Sequence, residues 1–250
     1  MDINEFFRST PDGLQFTEHQ SSHFAKSVAG DFNPLHDVGG KRFCVPGDLL
    51  FGILLSRYGA YSDTAVEFSG MLGGAAIVQL PDEFNGALLL SDQRDRDILK
   101  FTGRGKKTTD PTFINNLVGQ YVRFSGRTFP DLLVPLMRDS TVMINPDRPL
   151  VIYRDMALRL NSDKVELLVG KIESTGQDQV ELSLTNSELI ADGKKGRVQL
   201  GFSIKYAGEL IGEGEKNFVL GGLRDFDEQA MQGVVDTYNA RKSGYKSEGS

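Results

Sequence analysis

The feature of this sequence that most constrains its fold is the segment 47–58, which reads GDLLFGILLSRY. Its apolar residues cover nearly the whole circumference of a helix, and a helix that is apolar all round has to be buried on every side. Pro46 marks the start of this helix, and Asp48 places a carboxylate in the first turn, where it stabilises the helix through the dipole by about 0.3–1 kcal/mol. The rest of the chain is therefore expected to enclose the helix.

Short apolar runs follow, separated by Gly, Pro, Asp and Asn, which is the pattern of strands joined by turns. The first series lies between Thr64 and Gly103, and it is followed by a predicted polar loop up to Asp110 and a predicted helix over 111–123. The second series comprises the predicted strands 150–160, 165–173, 180–186, 198–206 and 210–220. Residues 205–209 predict a hairpin turn between the last two strands.

The second half of the chain repeats the order of the first half. Residues 130–137 (PDLLVPLM) echo residues 46–54 (PGDLLFGIL) less one glycine, and each copy precedes a series of strands. This similarity indicates duplication of one helix-plus-sheet unit. The prediction is an α+β protein with two long buried helices, near 47–58 and 130–141, each wrapped by an antiparallel sheet.

These patterns divide the chain into two predicted domains and a C-terminal extension. Residues 1–118 form the first unit and contain the polar motif described below, whereas residues 119–222 form a second unit without that motif. Residues 223–250 are predicted to contain an amphipathic helix over 227–241 and a disordered tail.

The composition narrows the functional classes. The formal net charge is −6 over 250 residues, so the chain lacks the dense basic face that nucleic-acid binding requires. Cys44 is the only cysteine, which excludes an internal disulfide and is typical of a reducing compartment. The N-terminus lacks the long apolar core of a signal peptide, and no apolar run approaches the roughly 20 residues that span a bilayer. We therefore expect a cytoplasmic protein that binds neither nucleic acid nor membrane.

A cluster of reactive residues lies directly before the apolar helix. The segment 17–30 predicts a helix, and Asp31 and His36 follow it on a turn formed by Asn33 and Pro34. A carboxylate and an imidazole this close together, beside a helix N-terminus with unpaired N–H groups, can polarise a water and hold a developing oxyanion. Similar residues also serve as turn formers and structural histidines, so the motif alone leaves both interpretations open.

The residues of this cluster resemble the hydratase motif of the MaoC-like (R)-specific enoyl-CoA hydratases. In that family the motif runs Phe-Ala, Gly-Asp, Asn-Pro-x-His and then a glycine that begins the central helix. This chain has Phe24-Ala25, Gly30-Asp31, Asn33-Pro34-Leu35-His36 and Gly47. The resemblance implies a double hot-dog fold without a cofactor. It also implies addition of water to a trans-2-enoyl thioester of coenzyme A or acyl carrier protein, which gives the (R)-3-hydroxyacyl thioester. The whole chain further resembles an uncharacterised bacterial double hot-dog family.

The same resemblance implies a role for each residue of the motif. Asp31 and His36 would jointly hold and deprotonate the water, while Asn33 and Pro34 would keep the turn in shape. The backbone N–H of Gly47 would bind the thioester oxygen as enolate charge develops.

One departure from the family bears on function. The helix begins Pro46-Gly47-Asp48 where most members have His-Gly-Met, so Asp48 adds a charge close to the oxyanion position. Three hypotheses remain open: a hydratase or dehydratase, a non-catalytic acyl-thioester-binding hot-dog protein, and a thioesterase that uses Asp48 as its carboxylate. The protein could act as a monomeric double hot-dog or as a homodimer.

The remaining candidate residues have weaker signals. Lys41 and Arg42 lie near the motif and could attract the phosphates of the thioester carrier. His19 and His23 have the spacing of a metal-binding pair on a helix, but no third ligand accompanies them, so no metal is predicted. Cys44 is expected to be an inert buried thiol.

Overall fold

The computed structural model describes residues 1–169 and 179–245. The helices are α1 (Glu18–His23), which continues as a π-helical turn (Phe24–Ala29), α2 (Gly47–Tyr58), α3 (Pro111–Ser125), α4 (Leu133–Asp139), α5 (Ser162–Val169) and α6 (Glu228–Gly244). The strands are β1 (Arg8–Thr10), β2 (Gly13–Gln15), β3 (Ala60–Phe68), β4 (Ile77–Val78), β5 (Ala87–Ser91), β6 (Asp97–Thr108), β7 (Val142–Met143), β8 (Val151–Leu160), β9 (Val180–Asp192), β10 (Lys195–Tyr206), β11 (Glu209–Gly221) and β12 (Arg224–Asp225).

Seven of these strands form one antiparallel sheet within the described residues, in the order β5-β6-β3-β8-β11-β10-β9. Strands β3 and β8 pair at its centre, with Ala65 opposite Ala157, so the sheets of the two halves join into one continuous surface. The order is symmetric about this central pair, because β3-β6-β5 on one side matches β8-β11-β10 on the other. A small sheet, β1-β2-β4, extends the first half through a bridge between Val78 and Asp92. This symmetry supports the predicted duplication.

The core lies between this sheet and the two long helices, α2 and α3, which pack against each other. Residues 48–55 of α2 are all buried, as its all-round apolar surface predicts. The rings of Phe51 and Tyr121 lie 4.8 Å apart. Gly52 allows this close approach, because a Cβ there would lie 2.9 Å from Val118 Cγ1. The α+β double hot-dog architecture, with two long buried helices and an antiparallel sheet, is therefore confirmed.

The second long helix is not where the repeat predicts it. It is α3, which matches the helix predicted over 111–123, whereas the region near 130–141 contains the end of a π-helical segment (Thr128–Leu132) and the short helix α4. Phe129 has φ −117° and ψ 131°, because a residue before proline avoids the helical conformation, and this interrupts the chain before α4. The predicted boundary near residue 118 lies inside α3. The division of the chain into two domains therefore remains a proposal.

Two local predictions are wrong. Residues 103–108, predicted to begin a loop, continue β6, and Thr108 still pairs with Ala60 of β3. Residues 165–169, predicted as the start of a strand, belong to α5. Asn161 begins that helix, since its Oδ1 accepts a hydrogen bond from the Lys164 N–H at 3.0 Å. The rest of that predicted strand lies outside the described residues.

The predicted hairpin turn and the predicted C-terminal helix are both present, but residues 242–244, predicted to begin the disordered tail, are helical. Ala207 and Gly208 form the hairpin turn between β10 and β11, with φ values of 49° and 82°. Helix α6 is capped by Asp227, whose Oδ1 accepts a hydrogen bond from the Ala230 N–H at 2.8 Å. It runs to Gly244, and residues 246–250 of the predicted tail lie outside the described residues. None of the helices that the structure describes is long and apolar enough to cross a membrane.

Candidate active site

The candidate site begins where the first helix ends. Thr17 caps α1, since its Oγ1 accepts a hydrogen bond from the backbone N–H three residues later at 3.1 Å. The helix then passes through the π-helical turn and stops at Gly30, whose φ of 70° and ψ of 22° place it in the left-handed region that favours glycine. The Asp31 N–H donates to the Ala25 carbonyl at 2.8 Å. The end of the helix therefore fixes the backbone of Asp31.

Asn33 organises the turn that follows. Its N–H donates to Asp31 Oδ1 at 2.9 Å, and its own Oδ1 accepts a hydrogen bond from the Leu35 N–H at 3.1 Å. Its Nδ2 donates to the carbonyl of Val151, on β8 of the second half, at 3.2 Å. Pro34 begins the 3₁₀ turn that ends at His36. This geometry supports the supporting roles proposed for Asn33 and Pro34.

His36 has one ring nitrogen occupied and the other directed at Asp31. Its Nδ1 lies 2.8 Å from the carbonyl oxygen of Cys44, which can only accept, so Nδ1 carries the proton. The other ring nitrogen, Nε2, lies 3.7 Å from Asp31 Oδ2, and in the neutral form of the ring it carries a lone pair. Burial raises the pKa of Asp31, and the nearby His36 and the Asn33 N–H oppose that rise. The structure thus brings the two predicted reactive groups together.

A cavity of about 680 Å³ opens beside this pair, and both side chains line it. Gly47, the first residue of α2, lines it too, and the first N–H groups of a helix have no partner within the helix. A Cβ at Gly47 would lie 3.0 Å from Phe68 Cζ and 3.1 Å from Tyr153 Cδ2, so the packing there favours glycine. Apolar side chains from both halves form much of the wall, among them Leu50, Phe68, Phe129, Ile144, Ile152 and Phe218.

Asp48 belongs to a buried polar network below the start of α2. Its Oδ1 accepts a hydrogen bond from Lys216 Nζ at 3.1 Å, and its Oδ2 accepts one from Tyr153 Oη at 2.9 Å. Lys216 also donates to the Tyr121 carbonyl at 2.9 Å and to Ser125 Oγ, which lies 2.8 Å from Tyr153 Oη. Asp48 is only 4% exposed and does not line the cavity. Both carboxylate oxygens are therefore engaged with the protein itself.

The sequence did not reveal that Lys216 is the partner of Asp48. It is fully buried, with an exposed fraction of 0%, and its Nζ lies 3.6 Å from the centre of the Tyr121 ring. Burial lowers the pKa of Lys216, and the Asp48 carboxylate opposes that effect. A signal was present, because the alternation along β11 places Lys216 on the same buried face as Phe218 and Leu220.

Helix α6 forms a further wall of the cavity that the sequence did not reveal. Its residues Ala230, Gly233, Val234, Thr237, Tyr238 and Arg241 line the cavity. The amphipathic pattern predicts the helix but carries no information about the surface it covers.

The other candidate residues lie apart from the cavity or are inert. Lys41 is exposed, and neither it nor Arg42 lines the cavity, so a contact with carrier phosphates stays a prediction. Among the described residues no cluster of three metal-ligating side chains occurs, and His23 Nδ1 instead lies 3.1 Å from Tyr245 Oη. Cys44, expected to be buried, is a free thiol that is only partly buried and lines the cavity; desolvation raises its pKa to about 12, consistent with an unreactive group.

Several solved structures are similar to this chain at low sequence identity. One is a conserved protein of unknown function with a hot-dog fold from Alicyclobacillus acidocaldarius, with 9% identity and a TM-score of 0.48, over 88% of this chain and 98% of that one. Another is a MaoC-like dehydratase, with 8% identity and a TM-score of 0.40, over 88% and 98% of the two chains. A third is the acyl-CoA thioesterase II TesB2 from Mycobacterium marinum, with 11% identity and a TM-score of 0.36, over 90% and 99%.

No curated protein matches the chain. A family described as protein of unknown function (DUF3581) matches residues 1–229, which include the Asp31–His36 turn, both long helices and the whole seven-stranded sheet. The chain belongs to that family.

Proposed function

We propose that this protein is a hydratase or dehydratase that acts on an acyl thioester of coenzyme A or acyl carrier protein. The observation that carries the proposal is the distance of 3.7 Å between Asp31 Oδ2 and His36 Nε2 on the wall of a cavity that Gly47 also lines. A carboxylate, an imidazole and a helix N-terminus therefore surround one largely apolar space, which is the arrangement that such a reaction needs.

The pair is suited to hold a water molecule. With the Nδ1 proton donated to the Cys44 carbonyl, a neutral His36 ring has its acceptor at Nε2, and an ionised Asp31 is an acceptor as well. Their separation is too long for a direct hydrogen bond and fits one water that donates a proton to each. As the water oxygen adds to C3 of the enoyl thioester, the pair takes one proton from it. The pair then returns a proton to C2, so that it ends in its starting state.

The start of α2 is suited to the charge that develops on the thioester oxygen. The Gly47 N–H lies at the positive end of the helix dipole and beside the cavity. The neighbouring Asp48 would oppose an enolate there, but Lys216 Nζ, 3.1 Å from its Oδ1, compensates that negative charge. The second half of the protein thus supports the oxyanion position, although it has no acid–base pair of its own.

The same contacts weigh against the thioesterase hypothesis based on Asp48. A carboxylate that directs water at a thioester has to face the substrate, whereas Asp48 is buried and bonded to Lys216 and Tyr153. A protein that binds acyl thioesters without turning them over is the remaining alternative, and only an assay separates it from a hydratase.

The test is incubation with crotonyl-CoA and longer trans-2-enoyl-CoAs, following the loss of the enoyl absorbance. We expect turnover by the wild type, with Asp31→Asn and His36→Ala each about 10²–10⁴-fold slower, because each removes one half of the acid–base pair. The losses should be far from additive in the double variant, since both groups hold the same water. His19→Ala, at an exposed histidine outside the cavity, is the matched control and should retain activity.

Each competing hypothesis has its own readout in the same experiment. Release of free thiol from saturated acyl-CoA would indicate a thioesterase. A rise in melting temperature with acyl-CoA but no turnover would indicate a binding protein. Unchanged turnover in either Asp31→Asn or His36→Ala would show that the Asp31–His36 pair has no part in the mechanism.

A further inference from the structure

Helix α6 touches the site in two ways that the proposed function does not use. It lines the cavity through Val234 and Thr237 among others. It also forms hydrogen bonds and an ion pair with the segment that carries Asp31 and His36. The polar contacts come from Tyr238 and Arg241, which lie three residues apart on the face of α6 that packs against the Asp31–His36 segment.

Tyr238 forms hydrogen bonds with the backbone of both residues that flank Asp31. Its Oη accepts a hydrogen bond from the Phe32 N–H at 3.3 Å and donates one to the Gly30 carbonyl at 3.2 Å. Its ring packs edge-to-face on Phe32, with centroids 5.9 Å apart, and on Phe129 at 5.0 Å. The hydroxyl thus satisfies two buried backbone groups, while the ring forms part of the wall.

Arg241 holds the other end of the turn. Its Nη1 lies 3.0 Å from Asp37 Oδ2, and Lys26 Nζ, from the π-helical turn, lies 3.0 Å from Asp37 Oδ1. Asp37 directly follows His36 in the chain. The Asp37 carboxylate is therefore bound both by Lys26, which precedes Asp31 in the chain, and by Arg241 in the C-terminal helix.

We infer that Tyr238 and Arg241 are positioning residues that hold Asp31 and His36 at the separation needed to share one water. This inference rests on the proposed function. The two reactive groups lie on one irregular turn whose ends are each bonded to α6, so loss of either contact releases one end of the turn relative to the other. A misplacement of about 1 Å can cost about 10²-fold in rate.

The test separates positioning from wall formation. Tyr238→Phe removes only the hydroxyl and keeps the ring in the wall, so kcat should fall about 10-fold with KM unchanged. Arg241→Gln should act in the same way, and Arg241→Lys should restore much of the rate because it can still pair with Asp37. Tyr58→Phe is the matched control, since it removes a hydroxyl that donates to the Pro81 carbonyl away from the cavity. Wild-type kcat in both Tyr238→Phe and Arg241→Gln would overturn the inference, and so would a change in KM alone.

A second measurement does not depend on turnover. Hydrogen–deuterium exchange of peptides covering residues 24–46 should be at least about 10-fold faster in the Tyr238→Phe/Arg241→Gln double variant than in Tyr58→Phe. If the wild type turns over no thioester, the proposed function fails, and the exchange result alone then decides whether α6 holds this turn. Equal exchange in the double variant and in the control would overturn the inference whatever the activity.

Discussion

Replacing Lys216 tests most directly whether its buried ion pair with Asp48 stabilises the protein. Its Nζ is fully buried and donates to Asp48 Oδ1, to the Tyr121 carbonyl and to Ser125 Oγ. Replacing it with methionine keeps an unbranched side chain of similar length and removes the charge and all three hydrogen bonds. Asp48 is then left as a buried carboxylate whose remaining partner is the Tyr153 hydroxyl.

The expected loss in the free energy of unfolding is about 3–5 kcal/mol, the usual cost of removing one partner of a buried ion pair. That is a large part of the roughly 5–15 kcal/mol by which domains are stable. The first-turn position of Asp48 alone predicts a contribution of only about 0.3–1 kcal/mol through the helix dipole. Because Asp48 pairs with Lys216, Asp48→Asn should also destabilise by the larger amount, since it leaves a buried ammonium group.

The assay is urea unfolding at neutral pH, with two comparison variants. Lys106→Met is the matched control, because Lys106 Nζ lies 2.5 Å from Asp163 Oδ1 in an exposed pair that water screens. It should change stability little. The double variant Lys216→Met/Asp48→Asn removes both charges and should be more stable than Lys216→Met alone. A Lys216→Met cost no larger than that of Lys106→Met, or a double variant no better than the single, would refute this account.

Two further predictions concern the site. Gly47→Ala should slow turnover at least about 10-fold. The added Cβ would lie 3.0 Å from Phe68 Cζ and 3.1 Å from Tyr153 Cδ2 and would displace these two side chains, which line the cavity. Gly119→Ala is the control and should stay active, because its Cβ would meet no atom within 4 Å. Asp31→Asn should unfold at a higher temperature than the wild type at neutral pH. Burial raises the pKa of Asp31 above 3.8, so the wild-type folded state loses stability as the pH rises through that raised pKa. Asparagine does not ionise and avoids this loss. Its advantage should shrink as the pH is lowered towards the unfolded-state pKa, and a pH-independent difference in melting temperature would contradict this.

The parts of the site that sequence reasoning predicted are local in the chain. Asp31 and His36 are brought together by a turn whose shape depends on Gly30, Asn33 and Pro34, all within the same seven residues. Short-range patterns of this kind follow from backbone preferences that each residue carries with it. The burial of α2 was predictable for a similar reason, since a helix without a polar face has no surface for water.

The parts that were missed depend on contacts between distant residues. Lys216 and Asp48 are 168 positions apart, and Tyr238 lies 208 positions from its partner Gly30. Alternation along β11 shows that Lys216 faces the core, but not which carboxylate meets it. The second long helix was misplaced because a short repeat of apolar residues does not distinguish a long buried helix from the short helix α4, which begins only after the non-helical backbone at Phe129.

The sheet register indicates why the two halves, although similar in architecture, are not equivalent. Ala65 and Ala157 pair at the centre of the sheet and occupy equivalent positions in the two halves. The residue before Ala65 pairs with Gly103 in β6, whereas the residue before Ala157 pairs with Lys216 in β11. At Gly103 a Cβ would lie 2.5 Å from the Tyr61 ring, so a side chain such as that of Lys216 does not fit at the equivalent position of the first half. In a homodimer of identical chains both positions would carry the same residue. Joining two units in one chain allows one half to carry Asp31 and His36 and the other to carry Lys216, which pairs with Asp48 at the start of α2.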